Sequence, residues 1–126
     1  MFRFEKLDVW HKSVEFAAAI YGLTERFPAK ERFGLTSQLR RSAVSISANI
    51  AEGSSRSSAK DFSRFVEIAY GSLCESVSHL TIAVSQGFIA RDESRMMYDQ
   101  AEELGRMLTA FRSTLGQWKA QPAAGA

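Results

Sequence analysis

The stretch from Leu35 to Arg56, LTSQLRRSAVSISANIAEGSSR, restricts the fold of this chain more than any other. Its apolar residues Leu35, Leu39, Ala43, Ile46 and Ile50 step by four, four, three and four, which draws one stripe along a helix. A helix with one apolar stripe has to bury it against other elements. Gly53 is expected to end the helix in the left-handed conformation, with the serine-rich step behind it turning the chain. The helix also carries the pair Arg40–Arg41, and Asn49 and Glu52 lie beside the stripe. Polar groups in that position either fix a register or build a site, and the sequence leaves both readings open.

The same period recurs on both sides. From Leu7 to Phe27 the apolar positions Leu7, Val9, Trp10, Val14, Ala17, Ala18, Tyr21, Leu23 and Thr24 predict a first helix. Asp8 favours its first turn, and Phe27–Pro28 closes it. A third helix starts at Ser58, which with Asp61 resembles a capping box. Its seam is Phe62, Val66, Ala69, Leu73, Val77 (or Ser76), Leu80 and Val84, and it ends near Gly87. Gly71 inside it costs about 1 kcal/mol relative to alanine and suggests the close approach of another backbone. A fourth helix is expected from Asp92 to Trp118, with Met96, Met97, Ala101, Leu104, Leu108, Phe111, Leu115 and Trp118 as its stripe. Residues 119–126 hold no large apolar side chain and are expected to be disordered.

Four helical segments on short links, without an alternating strand pattern, predict an all-α chain. The expected architecture is one antiparallel up-and-down four-helix bundle over residues 1–118, with helix two shortest and helix three longest. At 126 residues there is enough chain for one core and not for two. A hydrophobic share of 45% beside a charged share of 24% is that of a soluble domain. The single cysteine, Cys74, forbids an intramolecular disulfide and any multi-cysteine metal site; a small buried role is expected for it. The start, MFRFEKLDVW, has no apolar core of a signal peptide, and no run is long enough to span a bilayer. A soluble cytoplasmic protein is expected. A net charge of +2 permits nucleic-acid binding without requiring it, so the placement of the arginines matters most.

The segments FEKLDVWHKSVEF, FPAKERFGLTSQLRRSAVSISANIAEG, SAKDF and IAYGSLCE together resemble the bacterial family of 23S ribosomal RNA intervening-sequence proteins, from Phe4 to about Leu115. Ser47 stands where that family usually has proline, and Ala48 where it often has serine, so helix two carries no proline break. The resemblance implies a four-helix bundle and a ring-shaped homopentamer. It also implies kinship with the accessory protein of diversity-generating retroelements, which associates with a reverse transcriptase and nucleic acid. No enzymatic activity is established for that family, and neither an enzyme nor a cofactor is expected here.

Among the candidate site residues, Arg56, Lys60 and Arg64 are spaced by four and are expected to form a stripe at the start of helix three, with Arg40 and Arg41 on the preceding helix. Contact with RNA or DNA phosphates is the functional reading. The bland one is a solvated face paired to Asp61 and Glu67, and no aromatic residue interleaves the stripe. Asn49, Glu52, Glu67 and Glu75 are expected as buried or interfacial polar groups partnered by Gln38 and Arg41. A carboxylate metal site is not supported, because only one Glu–His pair, Glu75 and His79, shares a helix, and His11 lies far off. No nucleophile–base pair stands out.

Trp10, Phe16, Tyr21, Phe27, Phe33, Phe65, Tyr70, Phe88, Phe111 and Trp118 exceed what one slim bundle readily hides, so self-association is expected, with Phe65 and Tyr70 on a second apolar face of helix three. The first function expected is a non-enzymatic homo-oligomeric scaffold for nucleic acid or a nucleic-acid enzyme such as a reverse-transcriptase-like protein. The alternative is a purely protein-binding or structural module.

Overall fold

A computed structural model describes residues 1–118, so the tail expected to be disordered lies outside the described residues. Four α-helices carry the chain: α1 (Asp8–Thr24), α2 (Leu35–Ser54), α3 (Ala59–Ser85) and α4 (Arg91–Thr114). Short 3-10 turns stand at Arg3–Lys6, Ala29–Glu31 and Leu115–Gln117. No strand occurs among the described residues. Each helix packs on its neighbour in sequence, and α1 closes on α4. Links this short between packed neighbours make consecutive helices antiparallel, as the sequence predicts. The shortest helix is α1, with 17 residues, and not α2, with 20. Thr24 ends α1 three residues before Phe27, and Ser47 lets α2 run unbroken to Ser54.

The core is a single cluster in which Phe16, Ile20, Leu39, Ala43, Ile46, Ile50, Phe62 and Ala69 have no exposed surface. The expected stripes of α2 and α3 hold, with Ala83 in place of Val84 at the end of α3. That of α1 is rotated. Val9, Ser13, Phe16, Ile20 and Leu23 face inward, and Val14 and Tyr21 face out. Ser13 can occupy the seam because its hydroxyl donates to Val9 O at 2.7 Å, so no polar group is stranded. Likewise Met97 is buried while Met96 is 72% exposed.

Gly53 does not end α2 in a left-handed turn; the only positive φ among the described residues is that of Gly87, at 76°. Gly53 is there for space. A Cβ at that position would lie 2.7 Å from both Phe62 Cδ1 and Phe65 Cβ, so glycine lets the start of α3 close over the end of α2. Gly87 terminates α3 with the paired bonds Phe88 N–H to Ala83 O (2.9 Å) and Gly87 N–H to Val84 O (3.0 Å). Gly71 has open space around it and no neighbouring backbone, contrary to expectation.

Small side chains also set the α2–α3 contact. Ser42 and Ser76 share a buried hydroxyl–hydroxyl bond of 2.8 Å, and Ser45 and Ser72 a half-buried one of 2.9 Å. Asn49 Nδ2 donates to Ser45 O and Oγ within the same helix. The polar groups buried in this seam are therefore serines. Gln38, Glu52, Glu67 and Glu75, expected as buried or interfacial groups, are all exposed on the protomer, because helices this close leave no room between them for long side chains.

Candidate functional site

The five basic residues expected to form one surface are divided by the fold. Arg40 and Arg41 lie sixteen and fifteen residues before Arg56, which at 1.5 Å per residue puts about 24 Å between the two groups along α2. Arg56 also precedes α3 and is not part of it. Its guanidinium pairs with Glu52 Oε1 at 3.0 Å and covers the Phe65 ring at 4.6 Å. Phe65 is consequently buried within the protomer and cannot form the outward face assigned to it. Lys60 and Arg64 are exposed, with no ion pair among the described residues. The start of α3 is already capped by Ser58, whose Oγ accepts from Asp61 N–H at 3.1 Å. Glu67 pairs with Arg112 of α4 at 3.1 Å; Glu75 bonds His79 at 3.1 Å and lines one hollow with Gln38 and Arg41, without a hydrogen bond to either.

At the other end of α2 the chain assembles a different group. The turn between α1 and α2 carries Arg32 and Phe33, α1 contributes Tyr21, and α2 contributes Thr36, Arg40 and Arg41; all six line one open hollow of about 390 Å³. Phe33 is 88% exposed. The Arg32 guanidinium lies over the Phe33 ring at 5.5 Å, and that of Arg40 over the Tyr21 ring at 4.5 Å.

Arg40 is half-buried and held. Its Nε–H donates to Thr24 Oγ1 at 2.8 Å, and its Nη2 reaches Glu25 Oε1 at 3.3 Å. Arg32 and Arg41 are exposed, with no ion pair among the described residues. Two guanidiniums without an ion pair beside two aromatic rings can hold an anion and stack a flat ring system. The Arg40–Arg41 pair was legible in the sequence. The contribution of Tyr21, Arg32, Phe33 and Thr36 was not, although the adjacency of Arg32 to Phe33 in the link AKERFG was a signal.

A second surface feature is a groove of about 640 Å³ between α3 and α4, where Tyr70, Leu73, Cys74, Tyr98 and Ala101 lie among its walls. Cys74 is exposed there and is not a core residue. Tyr70 is 42% and Tyr98 50% exposed. Of the ten aromatics expected to be surplus, only Tyr21, Phe33 and Tyr70 are exposed. A single bundle therefore hides more of them than the sequence suggests, with Phe111 and Trp118 packed edge-on against Phe62. Among the described residues no group of three side chains is placed to hold a metal ion, and no helix is long and apolar enough to cross a membrane.

A family model described as 23S rRNA-intervening sequence protein matches residues 5–110. Among solved structures, a protein of unknown function from the S23 ribosomal protein family of Bacteroides thetaiotaomicron is similar, at 28% identity and a TM-score of 0.77, over 84% of this chain and 99% of that one. No curated protein matches.

Proposed function

Since the chain belongs to the 23S rRNA-intervening sequence protein family, we propose that it is a non-enzymatic, homo-oligomeric four-helix scaffold of the cytoplasm that holds nucleic acid through its α1–α2 corner. The observation that carries this reading is the hollow where Arg32 and Arg41 stand unpaired beside Phe33 and Tyr21. Its lining offers charge, aromatic faces and hydroxyls, and holds no histidine, cysteine or carboxylate, which suits binding and not proton or group transfer. The test is binding of a labelled RNA by Arg32→Glu/Arg41→Glu beside Arg56→Glu/Lys60→Glu/Arg64→Glu. The first variant loses binding and the second keeps most of it; equal loss in both overturns the assignment to the corner.

Self-association is proposed through the α3–α4 side. An open groove with two half-exposed tyrosines at its wall is a surface of the kind that subunits cover. A ring-shaped pentamer is the proposed assembly. Tyr70→Glu/Tyr98→Glu yields a smaller species by light scattering; an unchanged size removes this face from the interface. The same groove favours the second reading, a protein-binding module without nucleic-acid contact, and that reading takes over when wild-type protein binds no RNA.

A further inference from the structure

We propose that the α1–α2 corner selects unpaired nucleotides, stacking a base on Phe33 while Arg32 and Arg41 hold the adjoining phosphates. This rests on the nucleic-acid reading above and adds to it the form of nucleic acid recognised.

The first support is Phe33 itself. It sits in the turn between the Ala29–Glu31 3-10 helix and α2, projects from the protein with 88% of its surface exposed, and joins none of the core. Arg32 lies over its ring. A phenyl ring open to water beside guanidiniums is the platform on which single-stranded nucleic acids stack, since every base has a π-face to offer.

The second support is independent. Thr36 is only 7% exposed, yet its Oγ1 has no hydrogen-bond partner among the described residues. It lines the same hollow. Buried hydroxyls are normally satisfied; Oγ1 is itself covered, so a phosphate oxygen or the edge of a base reaches it by displacing the side chains over it.

Size and geometry argue against a duplex. At about 390 Å³ the hollow is on the scale of a small-molecule site. A base inside a duplex is stacked on its neighbours and has no face left for Phe33. The nucleotide taken is thus one already unstacked, in a loop, a bulge or a free strand.

The test uses the full chain and fluorescence anisotropy with oligouridylate and oligothymidylate of about 12 nucleotides, a length within the known range of single-strand sites, and a blunt RNA duplex of the same length. Wild type prefers the single strands to the duplex. Phe33→Ala weakens single-strand binding about tenfold and leaves duplex binding unchanged, while Phe33→Trp retains it. Uridylate and thymidylate bound alike assign the contact to stacking, since the two share a π-face and differ at the C5-methyl and the 2′-hydroxyl. Two results overturn the proposal: equal or tighter binding of the duplex, or Phe33→Ala binding single strands as wild type does while Arg32→Glu/Arg41→Glu does not. In the latter case phosphate contact stands and stacking alone is lost. Arg32→Glu/Arg41→Glu binding as wild type does would instead contradict the nucleic-acid reading on which this one rests.

Discussion

Arg40 donates its Nε–H to Thr24 Oγ1 at 2.8 Å, which joins the end of α1 to α2 and separates the roles of two adjacent arginines. Arg40 is spent on the fold. Arg41, one residue on and so rotated by about 100° around the helix, faces water with no ion pair among the described residues.

Arg40→Ala therefore lowers stability by about 1–2 kcal/mol, through the lost charged hydrogen bond and the loss of packing on Tyr21. Arg41→Ala stays within about 0.5 kcal/mol of wild type but weakens RNA binding. Equilibrium urea unfolding of the two variants separates these roles. Equal losses of stability would contradict the division.

Thr36→Val has two effects of opposite benefit. Replacing an unpaired buried hydroxyl by a methyl removes a desolvation penalty, so the variant gains about 1 kcal/mol in thermal or urea unfolding. Its affinity for single-stranded RNA falls. A variant that loses stability would mean the hydroxyl is satisfied within the fold.

Two helical glycines answer alanine substitution with opposite signs. Gly53→Ala destabilises by about 1 kcal/mol or more, because its Cβ meets the Phe65 Cβ and the Phe62 ring at 2.7 Å and neither can swing away cheaply. Gly71→Ala meets nothing within 4 Å and stabilises by about 0.5–1 kcal/mol through helix propensity alone. Denaturation midpoints of the pair check both; a shared sign would refute the steric reading of Gly53.

These residues also show what the sequence could and could not disclose. Periodicity located four helices and the stripes of α2 and α3, because one apolar face repeated at helical spacing admits little else. It misplaced the face of α1, where Ser13 hides in the core behind a bond to Val9 O and reads as polar. It also took Gly53 for a terminator, since a close approach from α3 leaves no mark in the local sequence. The corner site is illegible in the sequence for a similar reason. Tyr21 belongs to α1, Arg32 and Phe33 to a link, and Arg41 to α2, and only the turn of the chain brings them together.

Arg26 and Glu93 join the end of α1 to the start of α4, and their hydrogen bond holds the Glu93 carboxyl below its ordinary range while raising the Arg26 guanidinium above its own. A carboxyl whose folded value is depressed adds stability above the unfolded value, near 4.3, and loses it as pH falls through the folded value. The advantage of wild type over Glu93→Gln in thermal unfolding is thus present at pH 7 and fades on acidification below about pH 4. Both groups are open to solvent, so the effect is small and shrinks with salt. A difference that grew toward acid pH would have the wrong sign.

The salt dependence of RNA binding tests the central claim most directly. Each phosphate neutralised on a single strand adds about 0.7 to the slope of log affinity against log salt concentration. If Arg32 and Arg41 each neutralise one, Arg32→Glu/Arg41→Glu binds more weakly, with a slope shallower than wild type by about 1.4. An unchanged slope in that variant, or a loss of slope in Arg56→Glu/Lys60→Glu/Arg64→Glu instead, would contradict the placement of nucleic acid at the α1–α2 corner.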